Sequence, residues 1–416
     1  MAAAVAAKEQ GVSEVILLER HEYLGGVLPQ CIHNGFGTQL YDTDYTGGEY
    51  AWLWKQKAED AGVDIRTGTT VLSVEKGWEV RCVSASAGAE TLTADAVVIA
   101  TGCRERTLPQ MLIPGSRPAG IMTAGAAQLM MNMKNYLPGK SAVILGSGDI
   151  GLIMARRMTL EGIHVKMILG QHATGLARNI VQCVEDYDIP MRYGWTAVST
   201  HGYRRLTGVT IAPFGEDGKP DISRKEYIRC DTLLIAAGLI PELEVCRGLD
   251  FDEPGLFICG NANGVHDLAD HVTEEGIITG QLAAAYLGCG AAPDGQSSLH
   301  TEDKGKTGNM VCTVCPKSCI MNVVRDPFAV SGNQCDRGET FALQELENPK
   351  RVLTTIVRTD RGTVSVRTSQ PIDKRELFTA MKAISKLKVQ GAVEPGQTVA
   401  VDIAGLGVDL VATWYE

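Results

Sequence analysis

The sequence predicts an α/β protein built on doubly wound parallel sheets and followed by a small α+β domain. Three observations lead to this prediction. Short apolar, β-branched runs alternate with helix-length segments up to about residue 290. A glycine-rich turn joins one of these runs to a helical pattern. The composition then changes after Leu287, where a polar stretch precedes a cluster of four cysteines.

Strand-like runs lie at Val15–Leu18, Val71–Val74, Ala96–Ala100, Ala142–Leu145, Val165–Leu169, Thr232–Ala236 and Leu256–Cys259. Several of them are apolar throughout, as expected for strands that are covered on both faces of a parallel sheet. Helical patterns such as Ala51–Ala61 and Ala124–Asn135 lie between them. Beyond the polar stretch, strand patterns surround a predicted helix near Lys374–Ser385, which gives the α+β character of the last domain.

Composition and charge narrow the classes of function. The 416 residues include 39 basic and 49 acidic side chains, a formal net charge of −10. Non-specific nucleic-acid binding requires a cationic surface and is therefore disfavoured. No apolar run reaches the roughly 18 residues that a membrane helix needs, and the alanine-rich start lacks the basic region of a signal peptide. We therefore expect a cytoplasmic protein with no nucleic-acid partner and no membrane span.

The most specific pattern is a glycine-rich turn in the middle of the chain. Gly146, Gly148 and Gly151 have G-x-G-x-x-G spacing directly after an apolar strand and at the head of a helix. The first glycine permits the tight turn, the second lets the backbone reach a pyrophosphate, and the third lets helix pack on strand. The helix N-terminus supplies free N–H groups for phosphates. The pattern predicts a Rossmann-like dinucleotide site, with a glycine turn that binds no nucleotide as the alternative.

The ligand of this turn is less well defined. The next strand should end in an acidic residue for an adenosine 2′-hydroxyl, or lie near arginine for a 2′-phosphate. Here Gly170, Gln171 and His172 follow the strand, so neither signature is present. The module therefore either binds NAD(P) weakly, holds another ligand, or is vestigial.

Further strand ends suggest a second nucleotide module around the first. Its candidate cofactor-binding residues are Glu19, Gly25 and Gly26 after one strand, Thr101 and Gly102 after another, and Gly260 and Asn261 after a third. An acidic residue at a strand end can bind ribose hydroxyls, and small residues let a cofactor approach the backbone. Each of these strand ends alone could be an ordinary turn.

These motifs, in this order over residues 1 to about 290, resemble the two-dinucleotide-binding-domain flavoproteins. The resemblance implies an FAD-binding domain formed by residues 1–112 and 237–290, with an NAD(P)-binding-like domain of residues 113–236 inserted in it. By resemblance Glu19 binds the FAD ribose, and Gly260 and Asn261 match the Gly-Asp pair that holds the flavin ribitol. The stretches LGGVLPQCIHNGFG and TAGAAQLM resemble the branch related to glycerol-3-phosphate dehydrogenase and to amine- or opine-oxidising flavoproteins.

The resemblance also concerns the start of the chain. An FAD domain of this family opens with a strand and its own glycine-rich turn, about twenty residues before the ribose-binding acid. Glu19 is that acid, yet Met1–Gln10 already has the pattern of the helix that follows the turn. We expect that the first strand and FAD phosphate loop are missing from this sequence and that Met1 is an internal methionine of the natural chain.

Cys31 and His33 are the candidate catalytic residues. Disulfide reductases of this fold carry a cysteine pair beside the flavin, whereas Cys31 has no neighbouring cysteine, so dithiol chemistry is disfavoured. The thiol and the imidazole are expected to shape the flavin face or to exchange a proton. Alternatively, both side chains only pack the cofactor loop.

The four clustered cysteines predict a metal centre. Cys312, Cys315 and Cys319 form C-x2-C-x3-C, and Cys335 follows in a domain of residues 308–416 behind a linker of residues 291–307. Four thiolates suit either zinc or an iron–sulfur cluster; structural thiols are the third possibility. CTVCPKSC and GNQCDRG resemble the N-terminal segment of molybdopterin oxidoreductases, where such ligands hold a 4Fe–4S cluster.

The leading functional prediction is an FAD-dependent oxidoreductase that passes electrons between a two-electron donor and an iron–sulfur centre. The donor is NAD(P)H or a small organic substrate that is oxidised here or by a partner, either a second flavoprotein subunit or an electron carrier. One alternative is an NAD(P)H-dependent flavin reductase with a structural zinc domain. Another, of a different class, is a non-catalytic regulator that senses redox or nucleotide state.

Overall fold

A computed structural model describes residues 1–291, 308–360 and 362–415. The predicted linker of residues 291–307 therefore lies almost wholly outside the described residues. The chain divides into two compact units. The first contains Met1–Pro29, Phe36–Arg104 and the described residues from Leu239 to Ala291, and the second contains Gln30–Gly35, Glu105–Gly238 and the described residues from Gly308 onward.

The α-helices of the described residues are α1 (Ala2–Glu9), α2 (Gly47–Asp60), α3 (Ala124–Asn132), α4 (Asp149–Leu160), α5 (Ala177–Cys183), α6 (Ala269–Tyr286), α7 (Asp336–Glu347) and α8 (Leu377–Ile384). The strands before residue 110 are β1 (Ile16–Leu18), β2 (Asn34–Phe36), β3 (Tyr45–Thr46), β4 (Asp64–Arg66), β5 (Thr69–Glu75), β6 (Glu79–Ser84), β7 (Gly88–Thr93), β8 (Val97–Ile99) and β9 (Cys103–Glu105).

The middle strands are β10 (Ile121–Thr123), β11 (Ser141–Leu145), β12 (His164–Gly170), β13 (Met191–Tyr193), β14 (Trp195–Gly202), β15 (Leu206–Pro213), β16 (Glu226–Ile228), β17 (Thr232–Ile235), β18 (Leu239–Pro241) and β19 (Leu256–Ile258). The last strands are β20 (Met310–Val311), β21 (Ile320–Arg325), β22 (Phe328–Ser331), β23 (Lys350–Arg351), β24 (Thr354–Thr359), β25 (Thr363–Thr368), β26 (Ile372–Asp373), β27 (Lys388–Val389), β28 (Thr398–Ala400) and β29 (Leu410–Tyr415).

The first unit combines short parallel pairs with an antiparallel sheet. Strand β1 pairs in parallel with β4, and β8 pairs in parallel with β19. Strands β5, β6 and β7 form an antiparallel sheet. Helix α1 packs closely on α6, where a Cβ at Gly280 would collide with the backbone of Ala3. Helix α2 begins with a capping box in which Thr46 and Glu49 satisfy each other's backbone N–H groups.

The second unit contains a five-stranded parallel sheet with the order β10-β17-β11-β12-β13. Its central strands are fully buried, as at Ile144 and Leu234, because helices α3 and α4 pack on one face. The antiparallel strands β14, β15 and β16 supply the core on the other face, through residues such as Val209 and Ile211. These three layers confirm the predicted α/β fold, and the glycine turn follows β11 at the centre of the parallel sheet.

The C-terminal domain, defined as the described residues from Gly308 onward, also belongs to the second unit. Strands β20, β21 and β22 are antiparallel and share a small core with α7. A five-stranded sheet of order β27-β24-β25-β29-β28 packs against α8. Leu160 of α4 contributes to this second core, so the domain shares apolar contacts with the parallel-sheet layer. None of the described helices is long and apolar enough to cross a membrane.

Candidate nucleotide and cysteine sites

The glycine turn after β11 contains both packing glycines and a glycine that faces open space. Gly146 has φ +121° and a Cβ there would collide with the carbonyl of Ala236. A Cβ at Gly151 would lie 2.7 Å from the carbonyl oxygen of Gly146, so this glycine lets α4 approach the strand. The nearest atom to a Cβ at Gly148 is the Thr174 hydroxyl, 3.8 Å away. Space beside Gly148 is what a dinucleotide pyrophosphate requires, so the turn fits this ligand.

The segment after β12 is tied to this turn. The Ser147 hydroxyl donates to the carbonyl of His172 at 2.6 Å. The Asp149 carboxylate accepts from the backbone N–H of Leu176 and from the side-chain amide of Asn179, both at 2.8 Å. Asp149 therefore holds the turn and the start of α5 together. Sequence reasoning missed this residue, although an acidic side chain in the first turn of a helix was a usable signal.

Glu19 directly follows β1, as predicted from the sequence. Its carboxylate accepts a hydrogen bond from the backbone N–H of His21 at 2.9 Å, which orients it. Burial lowers the pKa of the Met1 amine, while the charges of Cys259 and Glu19 oppose this shift. Glu19 and Cys259, which follows β19, therefore both lie near the start of α1. A carboxylate oriented at a strand end fits the ribose hydroxyls of a dinucleotide.

Gly25 and Gly26 form a tight loop in the first unit. Both have positive φ, +108° and +57°. A Cβ at Gly25 would approach the Ala51 side chain to 2.8 Å, whereas Gly26 has open space in the Cβ direction. Gly25 therefore serves packing, and Gly26 leaves room for a ligand.

The Gly260–Asn261 turn is held by a carboxylate that sequence reasoning missed. Glu275 of α6 accepts from the backbone N–H of Gly260 at 3.0 Å and from the side-chain amide of Asn263 at 2.7 Å, and it also contacts the His266 imidazole at 2.6 Å. The side-chain oxygen of Asn261 accepts from the backbone N–H of His266 at 3.0 Å. An acidic residue thus lies beside the turn even though Asn261 itself is neutral.

Thr101 and Gly102 join β8 to β9 in a fixed turn. The Thr101 hydroxyl donates to the carbonyl of Glu242 at 2.5 Å, and the Gly102 carbonyl accepts from the Glu242 N–H at 3.0 Å. Gly102 has φ +72° and open space in the Cβ direction. The candidate FAD residues in the first unit therefore lie on strand ends and glycine turns, as a bound dinucleotide requires.

Cys31 and His33 lie in the Gln30–Gly35 segment of the second unit. The Cys31 thiol donates to the side-chain oxygen of Gln128 at 3.8 Å, and burial raises its pKa to about 12. The pKa of His33 is lowered to about 4, mainly by burial and in smaller part by the charges of Arg156 and Arg178, while the contact with the Asn34 carbonyl opposes the shift. Both side chains are therefore uncharged at neutral pH. Their part in catalysis stays a prediction.

The four clustered cysteines share one neighbourhood in the C-terminal domain. The Cys312 N–H donates to the Cys319 carbonyl at 2.9 Å, and both side chains are buried. Burial raises the pKa of Cys312 to about 11, and the charges of Cys315, Cys319 and Cys335 act in the same direction. None of the four forms a disulfide. Within the described ranges, however, no group of three or more His, Cys, Asp or Glu side chains has the geometry to hold a metal ion.

Cys335 differs from the other three cysteines because it is exposed and stands at the N-cap of α7. Burial opposes ionisation, but hydrogen bonds from the Arg337 side chain and from the backbone of Arg337 and Gly338 lower its pKa. A helix N-terminus stabilises a thiolate in the same way. The surroundings of Cys335 therefore favour its thiolate form.

The C-terminal domain is fixed to the parallel-sheet layer by buried charges. Arg351 contacts Asp186 and Glu345, each at 2.7 Å, and Lys374 contacts Asp186 at 2.7 Å. Arg351 and Asp186 are both more than nine-tenths buried. The loop that contains Cys315 and Cys319 also contacts α5, because the Ser318 hydroxyl accepts from the backbone N–H of Arg178 at 3.3 Å. No sequence pattern indicated this docking, which joins residues far apart in the chain.

Residues 1–259 match the family model of the pyridine nucleotide-disulphide oxidoreductases. The chain belongs to this family. It is therefore an FAD-dependent oxidoreductase of the two-domain FAD/NAD(P) type, as the sequence predicted. Residues 336–414 match a second model, that of a protein family of unknown function, DUF1667.

Several named proteins are similar to this chain. The hydrogen cyanide synthase subunit HcnB of Pseudomonas protegens is 24% identical over 329 residues, which cover 69% of this chain and 67% of the relative. An opine oxidase subunit of Agrobacterium tumefaciens is 30% identical over 173 residues, 39% of this chain and 33% of the relative. The ferredoxin–NAD(+) reductase subunit of the benzene 1,2-dioxygenase system of Pseudomonas putida is 31% identical over 235 residues, 51% of each chain.

Two solved structures show the same fold. Thioredoxin reductase from T. acidophilum is 22% identical with a TM-score of 0.53, covering 69% of this chain and 93% of that chain. Thioredoxin reductase from Lactococcus lactis is 16% identical with a TM-score of 0.55, covering 69% and 94%. At such low identity the likeness concerns the fold alone.

Proposed function

We propose that this chain is the electron-transferring subunit of an oxidoreductase in which FAD exchanges electrons with an iron–sulfur centre held by Cys312, Cys315, Cys319 and Cys335. The proposal rests on four neighbouring thiols outside any disulfide, in a chain that also contains the flavoprotein fold. It does not rest on a preformed site, because the described side chains form no metal-binding group. When bound, FAD converts two-electron transfer into the one-electron transfer that a cluster accepts.

Two separate sets of residues would bind the two nucleotides, FAD and NAD(P). The residues that would hold FAD are Glu19, Gly26, Thr101, Gly102, Gly260 and Asn261. The turn that contains Gly146, Gly148 and Gly151 would hold NAD(P), because the space beside Gly148 admits a pyrophosphate.

The cysteines and His33 would set the charge around the two redox groups. Cys31 and His33, uncharged at neutral pH, would leave the space beside the flavin without a fixed charge. The residues that would hold the cluster are the buried Cys312 and Cys319, the partly buried Cys315 and the exposed Cys335.

The names of the relatives support a partner protein. HcnB and the Agrobacterium tumefaciens relative are named as subunits of larger enzymes. The matches cover between a third and two thirds of the length of these relatives. We propose that a second subunit oxidises a small organic substrate, in the branch of amine-, opine- or glycerol-3-phosphate-oxidising flavoproteins. Reduced thiols suit a reducing compartment such as the cytoplasm.

The name of a further relative supports electron exchange with an iron–sulfur protein. The Pseudomonas putida relative is named a ferredoxin–NAD(+) reductase subunit. This favours NADH as one two-electron donor of the proposed reaction. A zinc-containing flavin reductase would share the donor but lack the one-electron centre.

Metal analysis tests the proposal directly. Protein purified without oxygen should contain iron and acid-labile sulfide, and Cys315→Ser should remove both while flavin remains. Cys230→Ser, which changes a buried thiol of the same unit outside the cluster, is the matched control and should retain both. Zinc without sulfide would contradict the iron–sulfur centre and support the flavin reductase. A colourless protein would contradict both and favour a regulator.

A further inference from the structure

A buried chain of hydrogen bonds connects the C-terminal domain to the Gln30–Gly35 segment. We call it the Arg157 chain, and its members are Thr355, Glu161, Arg157, Asn132, Gln30 and Gln128. All six residues belong to the second unit. Four of them, Thr355, Arg157, Asn132 and Gln128, are at least 95% buried.

Arg157 of α4 is the centre of this chain. Its Nε donates to the side-chain oxygen of Asn132 at 2.8 Å. Its Nη1 donates to the Glu161 carboxylate at 2.5 Å and to the Thr355 hydroxyl at 3.3 Å. The planar guanidinium thus contacts α3, the end of α4 and strand β24 at once, which the point charge of lysine could not do.

Asn132 connects the Arg157 guanidinium to the Gln30–Gly35 segment. Its oxygen accepts from Arg157, and its amide nitrogen donates to the backbone carbonyl of Gln30 at 2.8 Å. A flipped amide would place donor against donor and acceptor against acceptor, so only one orientation satisfies both neighbours. The position of the guanidinium therefore fixes the position of the Gln30 carbonyl.

Gln30 is then held at a second point. Its side-chain amide donates to the side-chain oxygen of Gln128 at 3.1 Å. The same oxygen accepts from the Cys31 thiol at 3.8 Å. The residue before Cys31 is thus bound through its backbone and its side chain, and the thiol shares one of those acceptors.

Stability alone is a poor explanation for this arrangement. Burial lowers the pKa of Arg157, and the charge of Glu161 only partly opposes this effect. Apolar residues of similar volume often replace buried ion pairs at no loss of stability. What an apolar residue could not supply is directional contact with three separate segments.

We propose that the C-terminal domain sets the position of the Gln30–Gly35 segment through the Arg157 chain, with Arg157 and Asn132 as positioning residues for Cys31 and His33. This gives the region that matches a family of unknown function a structural task in the oxidoreductase. The catalytic consequence rests on the proposed function, which places Cys31 and His33 at the flavin. The mechanical link does not rest on it.

The test measures the alkylation rate of each cysteine by iodoacetamide in the full-length, flavin-loaded protein, with peptides resolved by mass spectrometry. Asn132→Asp retains the acceptor for Arg157 but cannot donate to Gln30. We expect Cys31 to react about three- to tenfold faster, as the loss of one buried hydrogen bond allows. Cys183 and Cys230, both buried in the same unit, serve as internal references and should not change.

Two further variants locate the origin of the effect. Thr355→Val removes only a hydroxyl of the C-terminal domain, which accepts from Arg157 at 3.3 Å and donates to Glu161 at 3.5 Å. It should also increase the alkylation rate of Cys31. Thr413→Val is the matched control, because Thr413 is a fully buried threonine of the same sheet and its hydroxyl has no hydrogen-bond partner among the described residues. It should leave the ratio of Cys31 to the reference cysteines unchanged.

The alkylation rates of the variants either overturn or uphold the link between the C-terminal domain and Cys31. An unchanged Cys31 rate in Asn132→Asp overturns the link, and so does a rise shared equally by Cys183 and Cys230, which would report a loss of global stability. An effect in Asn132→Asp without one in Thr355→Val overturns the part assigned to the C-terminal domain. A faster Cys31 with an unaltered flavin spectrum and unaltered reduction by NADH upholds the link and counts against the proposed position of the segment at the flavin.

Discussion

At the scale of single residues, burial decides the charge state of His33. Its pKa is lowered from 6.5 to about 4, so the unfolded chain binds a proton more readily than the folded protein between these pH values. The stability contributed by neutral His33 is therefore complete above pH 6.5 and is lost as pH falls toward 4. His33→Asn should flatten the decrease of Tm over this interval, measured by thermal unfolding in a series of buffers. His164→Asn, at an exposed position, should keep the slope of the wild type; an identical slope in His33→Asn would contradict the assignment.

The glycines of the turn after β11 differ in what a side chain would do there. Gly148→Val places a side chain in open space, so we expect a stability loss of only about 1 kcal/mol but at least about a tenfold loss of NADH affinity. Gly146→Val adds a side chain at positive φ against the Ala236 carbonyl and should cost about 2 kcal/mol or more. Denaturant unfolding and NADH titration separate the two effects. Flavin reduction by NADH that is unaltered in Gly148→Val would show that electrons enter elsewhere.

At the scale of elements, the local pattern of apolar residues is sufficient to predict the strands at the centre of the parallel sheet. The apolar runs that became β11, β12 and β17 were predicted as buried parallel strands, and they form the centre of the parallel sheet. The run at Val71–Val74 is also predicted as a strand, and it lies in β5, which is antiparallel and alternates in burial, with Leu72 exposed. The four residues of this run are too few to reveal the alternation, because a period of two is recognised only over several residues.

Contacts between elements that are far apart in the chain could not be predicted from the sequence. The contacts of Arg351 with Asp186 join residues 165 apart, and nothing in the local pattern marks either side chain as buried. Arg351→Met leaves the buried Asp186 with Lys374 as its remaining cation, and should lower the free energy of unfolding by about 3 kcal/mol. Arg192→Met, which breaks the exposed pair with Glu226, should cost less than about 1 kcal/mol. Equal losses in both variants would show that the buried contact does not dock the domain.

At the scale of the whole molecule, the motifs located the candidate nucleotide residues but not their supports. The spacing of Gly146, Gly148 and Gly151 is sufficient to predict the turn, because the three glycines are close together in the sequence and form the turn locally. Asp149 and Glu275, which hold the turns in place, are supplied by the tertiary fold and were not predicted. The four cysteines were recognised from spacing alone, whereas their attachment to α5 through Ser318 required the structure.

The central claim is that one chain combines a two-electron flavin with a one-electron cysteine centre. An anaerobic reductive titration with dithionite, followed by absorbance and normalised to FAD, tests it most directly. We expect about three electrons for each FAD, two for the flavin and one for the cluster, and about two in Cys315→Ser. About two electrons for each FAD in the unaltered, anaerobically purified protein would contradict the claim.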